Sequence, residues 1–198
     1  MARFKQALWR AYADWKTLLL GAVLTIIPIV NFASIGFAIE CARKPYEKRL
    51  PNWKDFKDYW LDGLLVSVIM VIYLLPATAI FSIGYLTDEY DIPILIVSGA
   101  LSILGYYFLP IAWLRYSRTR FKEAFALKRV AKTCFQSKYF ASWIAAIFLS
   151  TIIGIIMNIV VILLAITVIG SYFATGFMLF WLLVFNFSIY GQLYEELR

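Results

Sequence analysis

Four long apolar blocks decide what this chain can fold into. Residues 61–86, 92–114, 143–169 and 172–192 carry a single charge among them, Asp62. Each is long enough to cross the roughly 30 Å hydrocarbon core of a bilayer as a helix. With 63% hydrophobic residues over 198 positions and a mean hydropathy of +0.77, the chain has too little polar surface for a soluble globule. A soluble enzyme, a disordered regulator and a secreted disulfide scaffold are excluded. An all-α polytopic membrane protein, one integral membrane domain over 1–198, is expected.

The charges then give an orientation. The net charge is +7, from 19 Lys and Arg against 12 Asp and Glu. The bases fall in the N-terminal stretch (Arg3, Lys5, Arg10, Lys16), in 43–57, in 115–138 and at Arg198. Basic short loops stay cytoplasmic. So 43–60 and 115–142 belong inside, and the acidic segment with Asp88, Glu89 and Asp91 outside. The partner for this charge is the anionic inner leaflet of the membrane rather than nucleic acid. Candidate head-group contacts are Arg115, Arg118, Arg120, Lys128, Arg129 and Lys132.

Residues 1–16 read as a basic amphipathic helix in the interface, with Phe4, Leu8, Tyr12 and Trp15 at helical spacing. Residues 17–42 are apolar but interrupted at Pro28. Each half spans about 16 Å, half a bilayer. Proline removes a helical hydrogen bond, and Asn31 offers a local substitute. A single crossing here would leave four bases outside. A re-entrant hairpin, 17–30 and 31–42, keeps every base and both termini on the cytoplasmic side. The single kinked span remains the alternative.

A second basic amphipathic helix is expected over 118–142, with Ala124, Leu127, Ala131, Cys134 and Phe135 on one face. Trp9, Trp15, Trp53, Trp60, Trp113 and Trp143 fall at the inner boundaries, where indole rings favour the head-group zone. The segments from Pro28 and from Pro110 both run to a basic exit, a faint hint of an internal repeat.

Pro28 to Pro76 contains P-x-x-N, G-x-x-x-E-x-x-R, L-P-x-W-x-x-F, D-G and I-Y-L-L-P in order. Those residues are Pro28, Asn31, Gly36, Glu40, Arg43, Leu50, Pro51, Trp53, Phe56, Asp62, Gly63 and Ile72 to Pro76. This order resembles a family of archaeal and bacterial multi-pass membrane proteins catalogued only as a domain of unknown function. The stretch PIAWLRYSRTRFKEAFALKRV and the Tyr-rich C-terminal helix are similar to that family too. The resemblance implies a prokaryotic cytoplasmic-membrane protein and supplies no activity, cofactor or catalytic residue.

The chemical inventory is thin. The chain has no His, and it shows no P-loop, dinucleotide fingerprint, nucleophile elbow or zinc spacing. No metal, no cofactor and no catalytic residue are assigned. Cys41 and Cys134 read as small apolar packing residues rather than a disulfide or palmitoylation sites. Asn31, Glu40, Arg43 and Asp62 form a candidate polar pocket beneath the break; Glu40 and Arg43, at i and i+3, also suit a structural ion pair. Asn158 and Asn186 are expected to bond across the last helical hairpin. The reading is a non-enzymatic scaffold or accessory subunit, with possible self-association or other membrane subunits as partners. The alternative is a small transporter or lipid-handling protein with its site at Pro28–Asn31. An intramembrane enzyme fits least.

Overall fold

The structure is a computed structural model, and it describes residues 4–86, 92–164 and 167–197. The described residues contain helices and no strand. Eight α-helices run in order: α1 Phe4–Ala11, α2 Trp15–Ile26, α3 Asn31–Arg43, α4 Phe56–Leu86, α5 Ile92–Arg118, α6 Leu127–Cys134, α7 Ser137–Leu164 and α8 Val168–Leu197. Short 3-10 turns at Trp53–Asp55 and Phe121–Phe125 join them. Four helices, α4, α5, α7 and α8, are long and apolar enough to cross a membrane. The acidic segment 87–91 lies outside the described residues.

The expected helix over 1–16 is two helices. Asp14 caps the second: its carboxylate accepts from the backbone N–H of Lys16 and Thr17 and from Thr17 Oγ. That hydroxyl bond holds the Asp14 carboxyl below its ordinary pKa. The buried side of α1 is Ala7, Arg10 and Ala11, whereas Tyr12 and Trp15 are exposed.

The break at Pro28 produces a hairpin, not a kinked span. Four tertiary contacts set its register. Ser34 Oγ donates to Gly21 O at 3.4 Å. Trp53 stacks on Phe37 at 4.4 Å while its indole N–H donates to Thr17 O. Arg10 Nη1 donates to Cys41 O at 2.8 Å. Gln6 Nε2 donates to Tyr46 O at 3.0 Å. As the first number falls from 21 to 6, its counterpart rises from 34 to 46, so the arms run antiparallel. At 12 and 13 residues, α2 and α3 measure about 18–20 Å each, too short to span alone.

The turn itself is tight. Val30 N–H donates to Pro28 O at 2.8 Å, and Asn31 N–H to Ile27 O at 3.0 Å. Ile29 sits between them at φ 70°, the left-handed region that a β-branched residue rarely enters. The indole N–H of Trp60 donates to Ile29 O at 2.9 Å and holds it there. The substitute bond expected from the Asn31 side chain is absent among the described residues; backbone and Trp60 fill that role.

Helix α3 is the hub, packed on α2, α4, α5 and α8. Its sequence explains why: the buried positions are mostly small, Ala33, Ser34, Gly36, Ala38, Cys41 and Ala42. Small residues let backbones approach where lipid supplies no hydrophobic drive between helices. At the α3–α4 crossing, a Cβ on Gly36 would lie 1.8 Å from Tyr59 O, and one on Gly63 1.8 Å from Phe32 O. Only glycine fits either place.

Two further expectations change. Residues 118–142 do not make one helix; α5 runs to Arg118, then come the 3-10 turn, α6 and the start of α7. Ala124 and Cys134 of the expected face are buried, but Leu127 and Phe135 are exposed, and Val130 takes their place inside. Pro110 lies inside the continuous α5, whereas Pro28 ends a helix, so the repeat hint finds no structural counterpart.

Candidate functional site

Three of the four residues expected in a polar pocket meet. Arg43, in the last turn of α3, places Nη1 2.6 Å from Asp62 Oδ2 and 3.1 Å from Glu40 Oε2. Tyr116 of α5 donates its hydroxyl to Asp62 Oδ1 at 2.6 Å. Arg43 Nε donates to Ser117 O at 2.8 Å, satisfying a carbonyl at the end of α5. Lys44 Nζ closes the group on Glu40 Oε1 at 3.0 Å, and this bond raises the Lys44 pKa. Asn31 does not join them. It begins α3, about 18 Å along the helix from Arg43.

The carbonyls left free of helical partners at the end of α3 draw further donors. Arg10 from α1 takes Cys41 O, and Arg118 from α5 takes Ala42 O at 3.0 Å. Gln192 Nε2 of α8 donates to Pro45 O at 3.3 Å. Positive groups at a helix C-terminus satisfy orphan carbonyls and offset the helix dipole. Arg118 also pairs with Glu195 and lies over the Tyr194 ring at 5.4 Å. Arg10 is 1% exposed, and its Nε and Nη2 carry no hydrogen bond among the described residues. The cluster thus ties α1, α3, α4, α5 and α8 together at one end. Arg43, Glu40 and Asp62 pair with one another within it, which suits a latch rather than an open binding pocket.

The candidate head-group residues divide into two sets. Arg115 and Arg118 turn inward: Arg115 pairs with Glu123 at 2.9 Å, and each has under one-sixth of its side chain exposed. Arg120, Lys128, Arg129 and Lys132 are exposed. Arg129 shares Glu123 at 2.8 Å, and the two arginines hold the Glu123 carboxyl below its usual pKa. Among the described residues, no group of His, Cys, Asp and Glu could hold a metal ion. Cys41 and Cys134 are both free and buried, and burial pushes the Cys134 thiol up to about 12.

Sequence reasoning missed Arg10, Tyr116, Ser117 and Gln192. No local spacing marks them, because their partners lie 31 to 147 positions away. It also misplaced Asn158. Asn186 accepts from Ser150 Oγ at 2.8 Å, while Asn158 points outward from α7. Three boundary tryptophans have inner roles: Trp53 and Trp60 lock the hairpin, and Trp113 donates to Val66 O at 3.1 Å.

Fold and cluster together define a multi-pass helical membrane protein whose polar residues chiefly bind helices to one another. A family model described as "Protein of unknown function (DUF4013)" matches residues 19–162, from within α2 almost to the end of α7. The chain belongs to that family. No curated protein and no solved structure matches it.

Proposed function

We propose that the protein is a non-enzymatic scaffold or accessory subunit of the cytoplasmic membrane. Both termini and the latch face the cytoplasm, against anionic lipid. Helix α7 carries the reading. It packs on α8 and, at its start, on α6, and only Tyr139 and Ala146 of its 28 residues are buried. Yet its outer face is not purely apolar. Thr151, Gly154 and Asn158 fall at i, i+3 and i+7, a Cβ on Gly154 would meet nothing within 4 Å, and Asn158 is exposed. An amide facing hydrocarbon is costly, and interhelical bonding relieves the cost. A second copy related by a two-fold axis along α7 would set one Asn158 against the other.

The test is self-association in a lipid bilayer. Wild-type protein is expected to dimerise, and a Gly154→Cys variant, which keeps Asn158, to crosslink through α7. Asn158→Leu should weaken the dimer by about fivefold, the scale of one such bond. Unchanged association in Asn158→Leu, with no α7 crosslink, would reject the reading.

The transporter alternative has less support. Its proposed site has Ile29 O engaged by Trp60, and Asn31 stands apart from Glu40, Arg43 and Asp62.

A further inference from the structure

A groove of about 580 Å³ lies between α5 and α7. Its walls are Ile103, Leu104 and Tyr107 on one side, and Phe135, Phe140 and Trp143 on the other, with Ala100 and Ser137 at its edges. The floor is fixed. Tyr107 donates its hydroxyl to Cys134 O at 2.5 Å, and Tyr139 donates to Tyr107 O at 2.6 Å. Trp143 packs edge-on against Tyr107 at 5.0 Å. The groove is therefore a preformed apolar channel, held open where α5 and α7 meet.

Two exposed bases lie close in sequence to its lining residues Phe135 and Ser137. Lys138 follows Ser137, and Lys132 lies one helical turn before Phe135; both lysines are exposed. From Ala124 to Tyr194 the sequence has no Asp or Glu. Neither lysine has an ion pair among the described residues, whereas Arg129 nearby is spent on Glu123. An apolar channel beside unneutralised bases complements a molecule with a long hydrocarbon tail and an anionic head.

We propose that this groove seats one acyl chain of an anionic phospholipid, with its phosphate at Lys132, Lys138 and Ser137 Oγ. The inference rests on the reading that the exposed bases meet an anionic leaflet, and adds a defined seat to it. Tail and head are recognised separately, so neither a neutral phospholipid nor a head group alone satisfies both parts.

Native mass spectrometry of the full chain tests this with phosphatidylglycerol and phosphatidylcholine of equal chain length. One tightly held phosphatidylglycerol is expected. Lys132→Gln with Lys138→Gln should lower its retention by about thirtyfold, the effect of two juxtamembrane bases. Ala100→Trp, which fills the groove from α5, should reduce retention of both lipids. Arg120→Gln with Lys122→Gln removes two exposed bases away from the groove and should change little. Glycerol 3-phosphate, which lacks the chains, should not compete. Equal losses from both lysine and control pairs would leave a diffuse surface attraction and overturn the seat. Equal retention of the two lipids by wild type would overturn the seat and the leaflet reading together. Competition by glycerol 3-phosphate would remove the groove from the account.

Discussion

Helices α3 and α7 invert the usual relation between hydrophobicity and burial. Helix α3 contains Asn, Ser, Glu, Cys and Arg, and eight of its 13 residues are buried. Helix α7 has a long run of Ile, Val and Leu, and two of its 28 are buried. In water the more apolar helix would be the inner one. In a bilayer lipid already solvates Ile and Leu, so the interior goes to helices with small contact surfaces and polar groups needing partners. Burial in this protein follows shape and hydrogen bonding.

Substitutions can break that contrast from the α3 side. The largest effect is expected at the α3–α4 crossing. Gly36→Ala and Gly63→Ala each drive a methyl into a backbone carbonyl, and each should cost at least about 3 kcal/mol in unfolding midpoint assays. Gly154→Ala on α7, with open space around it, should be neutral or stabilising. If all three behave alike, close packing is not what sets α3 apart.

The latch comes next. Asp62→Ala leaves the Tyr116 hydroxyl without its acceptor and Arg43 with only Glu40 and Ser117 O, and should cost about 2–3 kcal/mol given partial exposure. Tyr116→Phe, which removes one bond and no charge, should cost about 1 kcal/mol. A double-mutant cycle in denaturation would expose the coupling; additivity would show that the pair acts as two separate contacts.

A smaller effect of opposite sign is expected at the turn. Ile29 is 69% exposed and held at positive φ. Ile29→Gly should therefore stabilise the protein by about 0.5–1 kcal/mol, the relief of left-handed strain less the entropy glycine adds. A loss on thermal unfolding would mean the Ile29 side chain has a packing role.

The smallest concerns Glu123. Its pKa is lowered in the folded chain by Arg115 and Arg129. Its contribution is fully present above the unfolded carboxylate pKa and disappears as pH falls through the lowered folded value. The melting difference between wild type and Glu123→Gln should be visible at pH 7 and vanish in strong acid. A constant difference across that range would assign the effect to packing.

The sequence made the four spans, the break at Pro28 and the meeting of Glu40, Arg43 and Asp62 legible, because apolar run length, proline and charge placement act locally. It could not show which face of an apolar helix meets lipid. Periodicity separates faces only when one is polar, and α7 is apolar nearly all round. Arg115 and Arg118 looked like head-group ligands because their acceptors, Glu123 and Glu195, are brought in by tertiary folding. The Asn31 bond failed for a related reason: Trp60, 31 positions beyond Ile29, comes back to complete the turn through Ile29 O.

The proposed topology has residues 17–42 enter the membrane and return on the same side. Impermeant maleimide labelling of single cysteines in intact cells tests it most directly, with Cys41 and Cys134 replaced by Ala. Cysteines at Lys5 and at Lys48 should both stay unlabelled until the membrane is opened, while one at Asp88 labels at once. Labelling of the Lys5 position together with Asp88, and not with Lys48, would contradict the hairpin and restore a single crossing.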